Sequence, residues 1–553
     1  MLLVGIAAAL VLAGLVYDPR AEAAEPKRVF GLVIASVAFA GWIARPSGQK
    51  PIGLGARAAI GFVALSAVSF AWGLPCGARD LGTWLAALGA GAIVARVGPR
   101  LGKHLVRLTA VGLGGGASFV ALVCASAGLS GMSLHAGQGN PNWLGLLLAV
   151  TLPLSIDALF AWKATPRLMR ILVKLVILAH LPALYVSHSR VGWVAAAIAC
   201  AVQAAIVVRG RGVRHALMTT MAFAVIFGAQ TVSADAEAPA DLALRGRAWI
   251  WRETAHATAR ALPFGAGLGR FGHAFLDAQG DDLARMTPGE AARRFVNATT
   301  AHQEYLQVAV ESGPVAALLL VCALLMGARD HARSRWYGGA GALVACAVAS
   351  LGDSPIRQPA VALLVGAALG VPLWGPTSRV RRIVPGVVGL AAVTWLLYGT
   401  TRGWLSTRAR TATADADPAA RIAMLAKSVR LDPGSGEATL ALGLARLAIG
   451  ENHGALEALT RAETLMANTG THIAIGSAFL AEGNATEAER AYRSAIAWSS
   501  GSFRARIGLG EALLAKHELE AAEREATIAR KLMPGDRRGR ELADRIREAR
   551  MDE

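Results

Sequence analysis

Charge is scarce in this chain. Only 17% of its 553 residues are Asp, Glu, Lys or Arg, while 54% are hydrophobic; average soluble domains carry about 25% charge. The shortage excludes the ordinary soluble classes, although the length alone would allow roughly three or four such domains. Cysteine is rare too, limited to Cys76, Cys124, Cys200, Cys322 and Cys346. Four of these lie inside apolar runs, where a free thiol behaves as a small hydrophobe. With no Cys-x-x-Cys pair and no metal-ligand spacing, the pattern predicts neither a disulfide framework nor a cysteine metal site. The apolar start, MLLVGIAAALVLAGLVY followed by Arg20-Ala21-Glu22-Ala23, lacks the basic residues that open a signal peptide, so it reads as a retained first helix.

What the chain does have is long apolar runs, confined to the first 400 positions. Spans are expected at about 2–17, 29–44, 54–73, 81–98, 105–129, 143–162, 168–187, 191–208, 214–233, 303–326, 337–352, 359–374 and 383–399. Many approach the roughly 20 residues a helix needs to cross the hydrocarbon core, and their Gly and Ala suit close helix packing in lipid. The formal net charge of +18 raises the question of nucleic acid, but the basic residues cluster in alternate short loops. Arg45, Lys50 and Arg57, then Arg96, Arg100 and Lys103, Lys163, Arg167 and Arg170, Arg209, Arg211 and Arg214, Arg329, Arg333 and Arg335, and Arg379, Arg381 and Arg382 form one set. The other loops hold little beyond Arg20, Lys27, Arg28, Arg79, Arg190 and Arg357. The positive-inside rule puts the first set in the cytoplasm. The one large loop, about 234–302, then falls on the outer side, and an odd number of spans carries everything after about residue 400 there as well. Membrane insertion explains the charge, and no nucleic-acid partner is expected.

From about residue 415 the composition turns Ala, Glu and Arg rich with helical periodicity. Gly443, Gly476 and Gly510 each open a Gly-x-Ala segment and lie 33 and 34 residues apart, close to the tetratricopeptide period of about 34. Asp432-Pro433-Gly434 and Pro534-Gly535-Asp536 supply helix stops. Three such units with a final helix at about 537–550 suffice to bury a continuous core. The segment resembles tetratricopeptide repeats, whose general role is that of a docking surface or spacer.

Polar groups near membrane depth are costly and therefore functional candidates. Four patches qualify. Gly137-Gln-Gly-Asn140-Pro141-Asn142-Trp143 precedes a span, and by itself is an ordinary turn and helix start. Ser187-His188-Ser189-Arg190 places an Arg where the charge bias does not call for one, either to hold an anion or to snorkel. In the large loop, Arg245-Gly246-Arg247-Ala248-Trp249-Ile250-Trp251-Arg252 opens an amphipathic helix to about Leu262, suited to anionic headgroups. It leads into the glycine-rich Pro263-Phe-Gly265-Ala-Gly267-Leu-Gly269-Arg270, a hinge in its plainest reading, and no dinucleotide fingerprint because no strand precedes it. Last, Ala301-His302-Gln303-Glu304-Tyr305-Leu306-Gln307 with Glu311-Ser312-Gly313 re-enters the membrane. A lone His is more often structural than catalytic, but His302 starts a span directly after a basic loop.

In this order the four patches, over about residues 130–330, resemble the O-antigen ligase and polymerase superfamily. Gln303 departs from the Asn that many relatives carry after the His. The resemblance implies an all-α architecture: a polytopic bundle of about 12–13 transmembrane helices over 1–400, a linker at 401–414, and a tetratricopeptide-repeat α-solenoid over 415–553. It implies a multi-pass protein of the bacterial inner membrane with its repeats in the periplasm. The implied activity, relevant to lipopolysaccharide or other surface-polysaccharide synthesis, moves a glycan from undecaprenyl diphosphate to a hydroxyl acceptor at the outer face, with no cofactor and no metal. No Asp-x-Asp-like metal motif accompanies the patches. By motif position Arg190 and Arg247 stabilise the diphosphate, since guanidinium is a fixed fork for phosphate, and His302 is the general base. Asn140, Asn142, Arg245, Gly265, Gly267, Glu304 and Glu311 are the accompanying substrate-site candidates, with Glu304 or Glu311 to orient the imidazole. The acceptor is lipid A core, a glycan repeat unit or, in a protein O-oligosaccharyltransferase, a protein hydroxyl; the repeats offer a surface for protein partners. A transporter would instead show ionisable residues at mid-bilayer, where Asp157 is the main carboxylate. A scaffold working through its repeats would tolerate the loss of His302 and Arg190.

Overall fold

The computed structural model of the chain describes residues 2–16, 18, 24–44, 53–128, 138, 140–162, 165–207, 240–370, 379–413 and 416–551. The span expected at 214–233 lies outside them. Among the described residues there is no strand. The architecture is all-α, a polytopic helical bundle followed by a repeat solenoid.

The bundle comprises α1 (Leu2–Leu15), α2 (Ala24–Ala44), α3 (Leu54–Ser69), α4 (Gly77–Ser126), α5 (Pro141–Ala161), α6 (Arg167–Val186) and α7 (Arg190–Val207) before the large loop. Six described stretches are long and apolar enough to cross a membrane: Leu54–Trp72, Val97–Ser126, Pro141–Ala161, Arg167–Val186, Arg190–Val207 and Pro314–Arg333. Exposed Leu168, Leu175 and Leu178 on α6 give the outer apolar surface that lipid requires. The protein is therefore a multi-pass membrane protein. The two spans expected at 81–98 and 105–129 form one run of helix bent at Gly98, whose φ of 81° breaks the ladder just before Pro99.

α5 is the central helix, with every residue from Leu144 to Ser155 buried. Its close neighbours approach through glycine: a Cβ on Gly145 would stand 2.3 Å from Ser189 Cβ, and one on Gly192 of α7 would stand 2.7 Å from the Gly145 backbone. Such contacts replace the hydrophobic drive that lipid cannot supply. Asp157 of α5 is paired with Arg107 at 2.7 Å and accepts from the Trp336 indole at 3.0 Å, so this carboxylate is satisfied within the bundle.

The large loop folds into α8 (Ala240–Arg260), α9 (Phe271–Ala284) and α10 (Pro288–Arg294). The span expected at 303–326 divides into α11 (Glu304–Ser312) and α12 (Pro314–Arg333) at Gly313, whose φ is 86° and which is followed by proline. A Cβ there would lie 2.5 Å from the Pro263 carbonyl, so only glycine fits. The bundle closes with α13 (Tyr337–Ala349), a 3-10 turn (Pro355–Arg357), α14 (Pro359–Gly370) and α15 (Arg379–Thr411). α15 has 33 residues, about 50 Å at 1.5 Å per residue, against a hydrocarbon core of about 30 Å. It runs on to Thr411, within the segment expected as a linker, and is tied to the next helix by Ser406 and Ser428, whose hydroxyls lie 2.8 Å apart.

The solenoid begins with α16 (Pro418–Leu431) and pairs α17 (Gly436–Ala448) with α18 (Asn452–Leu465), α19 (Thr469–Ala481) with α20 (Ala485–Trp498), and α21 (Phe503–Ala515) with α22 (Leu519–Leu532). α23 (Arg538–Met551) caps it, burying Leu542, Ala543 and Ile546. Gly443 and Gly476 admit the side chains of Leu459 and Tyr492, which a Cβ would meet at 2.7 and 2.8 Å. The repeats dock on the large loop. Trp498 donates to Asp277 at 2.7 Å and Ser500 to the Leu283 carbonyl at 2.9 Å, while Phe271 and Phe275 share an apolar cluster with Ala467 and Trp498.

Candidate active site

Three of the four patches lie at helix starts, and the structure shows why; the third begins within α8. Asn140 caps α5, its side chain accepting from Trp143 N at 2.9 Å, and Pro141 takes the first helical position, where a missing N–H costs nothing. Asn142 is half-buried beside it. Ser189 caps α7 by accepting from Gly192 N at 3.1 Å. His188 before it has φ +50°, making the sharp turn that sets half-buried Arg190 on the first turn of α7. The Gly145–Gly192 contact places these two helix starts side by side.

His302 also has a φ of +50°, a conformation uncommon for any residue with a Cβ. Its neighbours hold it there. Ala301 N donates to Gln307 Oε1 at 2.6 Å, the Ala301 carbonyl accepts from the Trp251 indole at 3.1 Å, and Gln303 caps α11 by accepting from Leu306 N at 2.5 Å. Trp251 belongs to α8, which also carries Arg245 and the half-buried Arg247. Burial holds the half-buried His302 imidazole below the usual histidine value; Asp353 opposes that and Arg247 adds to it. A neutral imidazole near pH 7 can accept a proton.

The segment Ser350–Gln358, which joins α13 to α14, gathers the patches. Glu304 N donates to the Ser350 carbonyl at 2.9 Å. A Cβ on Gly352 would lie 2.9 Å from the side chain of Val191, the neighbour of Arg190. Gln358 donates to the Trp143 carbonyl and to Gln138, both at 2.9 Å. Arg357 binds Glu304 at 3.0 Å, Glu311 at 2.7 Å and Asp80 at the start of α4. Glu304 and Glu311 are thus engaged by Arg357, and the carboxylate that acts on His302 is Asp353. Sequence reasoning missed Asp80, Asp353 and Arg357. The available signal was a polar interruption, Gly352-Asp-Ser-Pro-Ile-Arg-Gln358, between two apolar runs.

The glycines of the loop serve close packing. Gly265, Gly267 and Gly269 have φ of 82°, 108° and 85°. A Cβ would lie 2.6 Å from Glu311 backbone atoms at Gly265, and 2.6 Å from the Trp72 carbonyl at Gly267. Gly269 N donates to Glu311 Oε1 at 3.2 Å. The run threads between the end of α3 and the end of α11.

Glu253, His256 and Asp282 present ligand-type atoms within 4.8 Å of one another, the one such group among the described residues. Arg252 already bridges the two carboxylates, at 2.8 Å from each, and supplies the charge a metal would bring.

A family model described as O-antigen ligase matches residues 175–321, and a tetratricopeptide repeat model matches residues 479–546. The first stretch runs from α6 into α12 and contains Arg190, Arg247, His302 and Glu311; Asn140, Asp353 and Arg357 lie outside it. The resemblance carried by the motifs is thus found in both parts of the chain. No curated protein matches the sequence. Among solved structures, one titled "Crystal structure of APC/C hetero-tetramer Cut9-Hcn1" is similar at 9% identity and a TM-score of 0.25, over 94% of this chain and 84% of that one, a likeness too slight to bear on function.

Proposed function

We propose that this protein is a glycan transferase of O-antigen ligase type, moving an oligo- or polysaccharide from undecaprenyl diphosphate to a hydroxyl acceptor at the outer face of a bacterial inner membrane. The observation that carries the reading is that the elements bearing Arg190 (α7), Arg247 (α8) and His302 (before α11) are joined through Trp251 and the Ser350–Gln358 segment. The docking of the repeats on the large loop supports placing them on the same side as these residues.

The chemistry follows from their types. His302 takes the proton of the acceptor hydroxyl as its oxygen attacks the anomeric carbon, a step for which a positioned base supplies roughly 10²–10⁴-fold. The bond from that carbon to the diphosphate oxygen breaks, and the polyprenyl diphosphate leaves with the electron pair and added negative charge. Arg190 and Arg247 stabilise that charge as forked, permanently cationic donors. The displacement inverts the anomeric centre, and no step requires a metal. Asn140 and Asn142, at the adjoining helix start, and Arg245, on α8 with Arg247, stand where the sugar or diphosphate binds. A lipid A core, a glycan repeat unit and a Ser or Thr side chain all present the hydroxyl this mechanism uses.

The test is complementation of surface-polysaccharide assembly by wild type and by His302→Ala, Arg190→Ala and Arg247→Ala, with membrane insertion checked by blot. Loss of product with accumulation of lipid-linked precursor is the expected result. Wild-type behaviour of all three, where deletion of the gene blocks assembly, contradicts the reading and favours a scaffold acting through the repeats.

A further inference from the structure

Arg357 is the most fully committed charge near the site. It is buried, and each nitrogen of its guanidinium is occupied: Nε donates to Glu304 Oε1 at 3.0 Å, Nη2 to Glu311 Oε2 at 2.7 Å, and Nη1 to Asp80. Its Cζ lies 5.4 Å from the Trp84 ring centroid. Three carboxylates surround its single positive charge, which makes it a poor site for an anionic phosphate.

Its carboxylate partners are informative. Glu304 is the first residue of α11 and Glu311 the last but one, so a single side chain grips both ends of that helix. A helix of nine residues does not hold itself in place. What depends on it is His302, two residues before the first of those carboxylates, kept at φ +50° by contacts that run through α11: Gln307 to Ala301 N, the Gln303 cap, and Glu304 N to Ser350. Arg357 and Asp353, the carboxylate acting on His302, stand four residues apart in the Ser350–Gln358 segment.

We propose that Arg357 is a positioning residue, which by clamping both ends of α11 fixes the backbone that presents His302 to Arg190, Arg247 and Asp353. This rests on the reading of His302 as the general base. A Lys cannot replace the clamp, because an ammonium is a point charge without the planar fork that engages three carboxylates at once. Glu311→Gln removes the charge at one grip while keeping an oxygen for Gly269 N.

The experiment uses the full chain in detergent or nanodiscs. The pH dependence of diethyl pyrocarbonate modification of His302 is followed by peptide mass spectrometry, and turnover is measured with an undecaprenyl-diphosphate-linked glycan and its hydroxyl acceptor. In Arg357→Lys the modification midpoint moves toward the ordinary histidine value. kcat falls by about 10²-fold, the scale of a misplaced catalytic group, while KM changes by less than about twofold because the residue does not touch substrate. Glu311→Gln moves both readouts in the same direction and decides the matter if Arg357→Lys is not monodisperse. A His302 modification curve identical to wild type in the folded variants overturns the positioning role. Wild-type turnover by His302→Ala instead overturns the general-base reading, and leaves the modification curves to report on the clamp.

Discussion

The indole N–H of Trp251 donates to the carbonyl of Ala301 at 3.1 Å, tying a helix of the large loop to the residue just before His302. The loop that carries Arg247 and the re-entry that carries the histidine are thereby one unit. Trp251→Phe keeps the ring in its apolar setting and removes only the donor. A hydrogen bond of this kind is worth about 1 kcal/mol net, so membrane expression should be unchanged and turnover should fall by about fivefold. Expression and turnover both at wild-type level would mean that the bond does not place His302.

The surroundings of His302 give a pH prediction with a definite sign. Burial and Arg247 lower its proton affinity and Asp353 raises it. A base must be unprotonated, so activity persists to lower pH than an ordinary histidine near 6.5 would allow. Asp353→Asn removes the negative charge that raises the value and moves the acid limb of the pH–rate profile further down. Arg247→Lys keeps the charge and leaves the limb in place, whereas Arg247→Gln moves it up. Residual activity should be profiled in each variant, and shifts opposite to these would contradict the assignment.

The junction between loop and repeats is built around Trp498, whose ring lies 4.6 Å from the His472 ring and 6.2 Å from that of His273. Burial lowers the proton affinity of both histidines; Glu463 opposes this at each, Asp277 opposes it at His273, and Arg270 adds to it there. A histidine with a depressed folded value is protonated first in the undocked state. Docking is therefore at full strength above about pH 6.5 and weakens as pH falls through that value. Hydrogen exchange in 271–284 and 498–501 should rise between pH 7.5 and 5.5, and that rise should disappear in His273→Gln/His472→Gln. A pH-independent exchange pattern in the wild type would contradict this.

Gly145 offers a steric test of the contact between the first two patches. A methyl group there would stand 2.3 Å from Ser189 Cβ and 2.6 Å from its hydroxyl. Overpacking of this kind costs about 1–3 kcal/mol and pushes the start of α7 away from α5. Gly145→Ala should lower the thermal midpoint in detergent and reduce product more than it reduces insertion. A variant with wild-type stability would show that the helices do not meet so closely.

Much of the fold could be read from local pattern. Membrane runs, basic loops and a 33–34-residue glycine spacing are periodic signals, and the repeats follow them helix for helix. Three of the four patches were legible because each is a helix start with cap chemistry: Asn140-Pro141, Ser189-Arg190 and Gln303-Glu304. The Arg357 clamp was not, because its partners Asp80, Glu304 and Glu311 come from segments far apart in sequence, and only tertiary packing gives a lone loop arginine three carboxylates. The break at Gly313 was hidden for a related reason. Hydropathy runs smoothly across 303–326, and it is the close approach of the Pro263 carbonyl that requires a glycine there. The docking of the repeats on the loop rests on small residues such as Gly280, where a Cβ would lie 2.4 Å from the Ala497 carbonyl, and such shape matching leaves no periodic trace.

Whether His302 takes the acceptor proton is read out by single-turnover transfer with purified protein in proteoliposomes. Wild type and His302→Ala are loaded with undecaprenyl-diphosphate-linked glycan, donor binding is measured, and an excess of hydroxyl acceptor is then added. Equal donor binding is expected, with transfer slowed by at least about 10²-fold in the variant, the lower range for loss of a general base. Equal binding with wild-type transfer would contradict it.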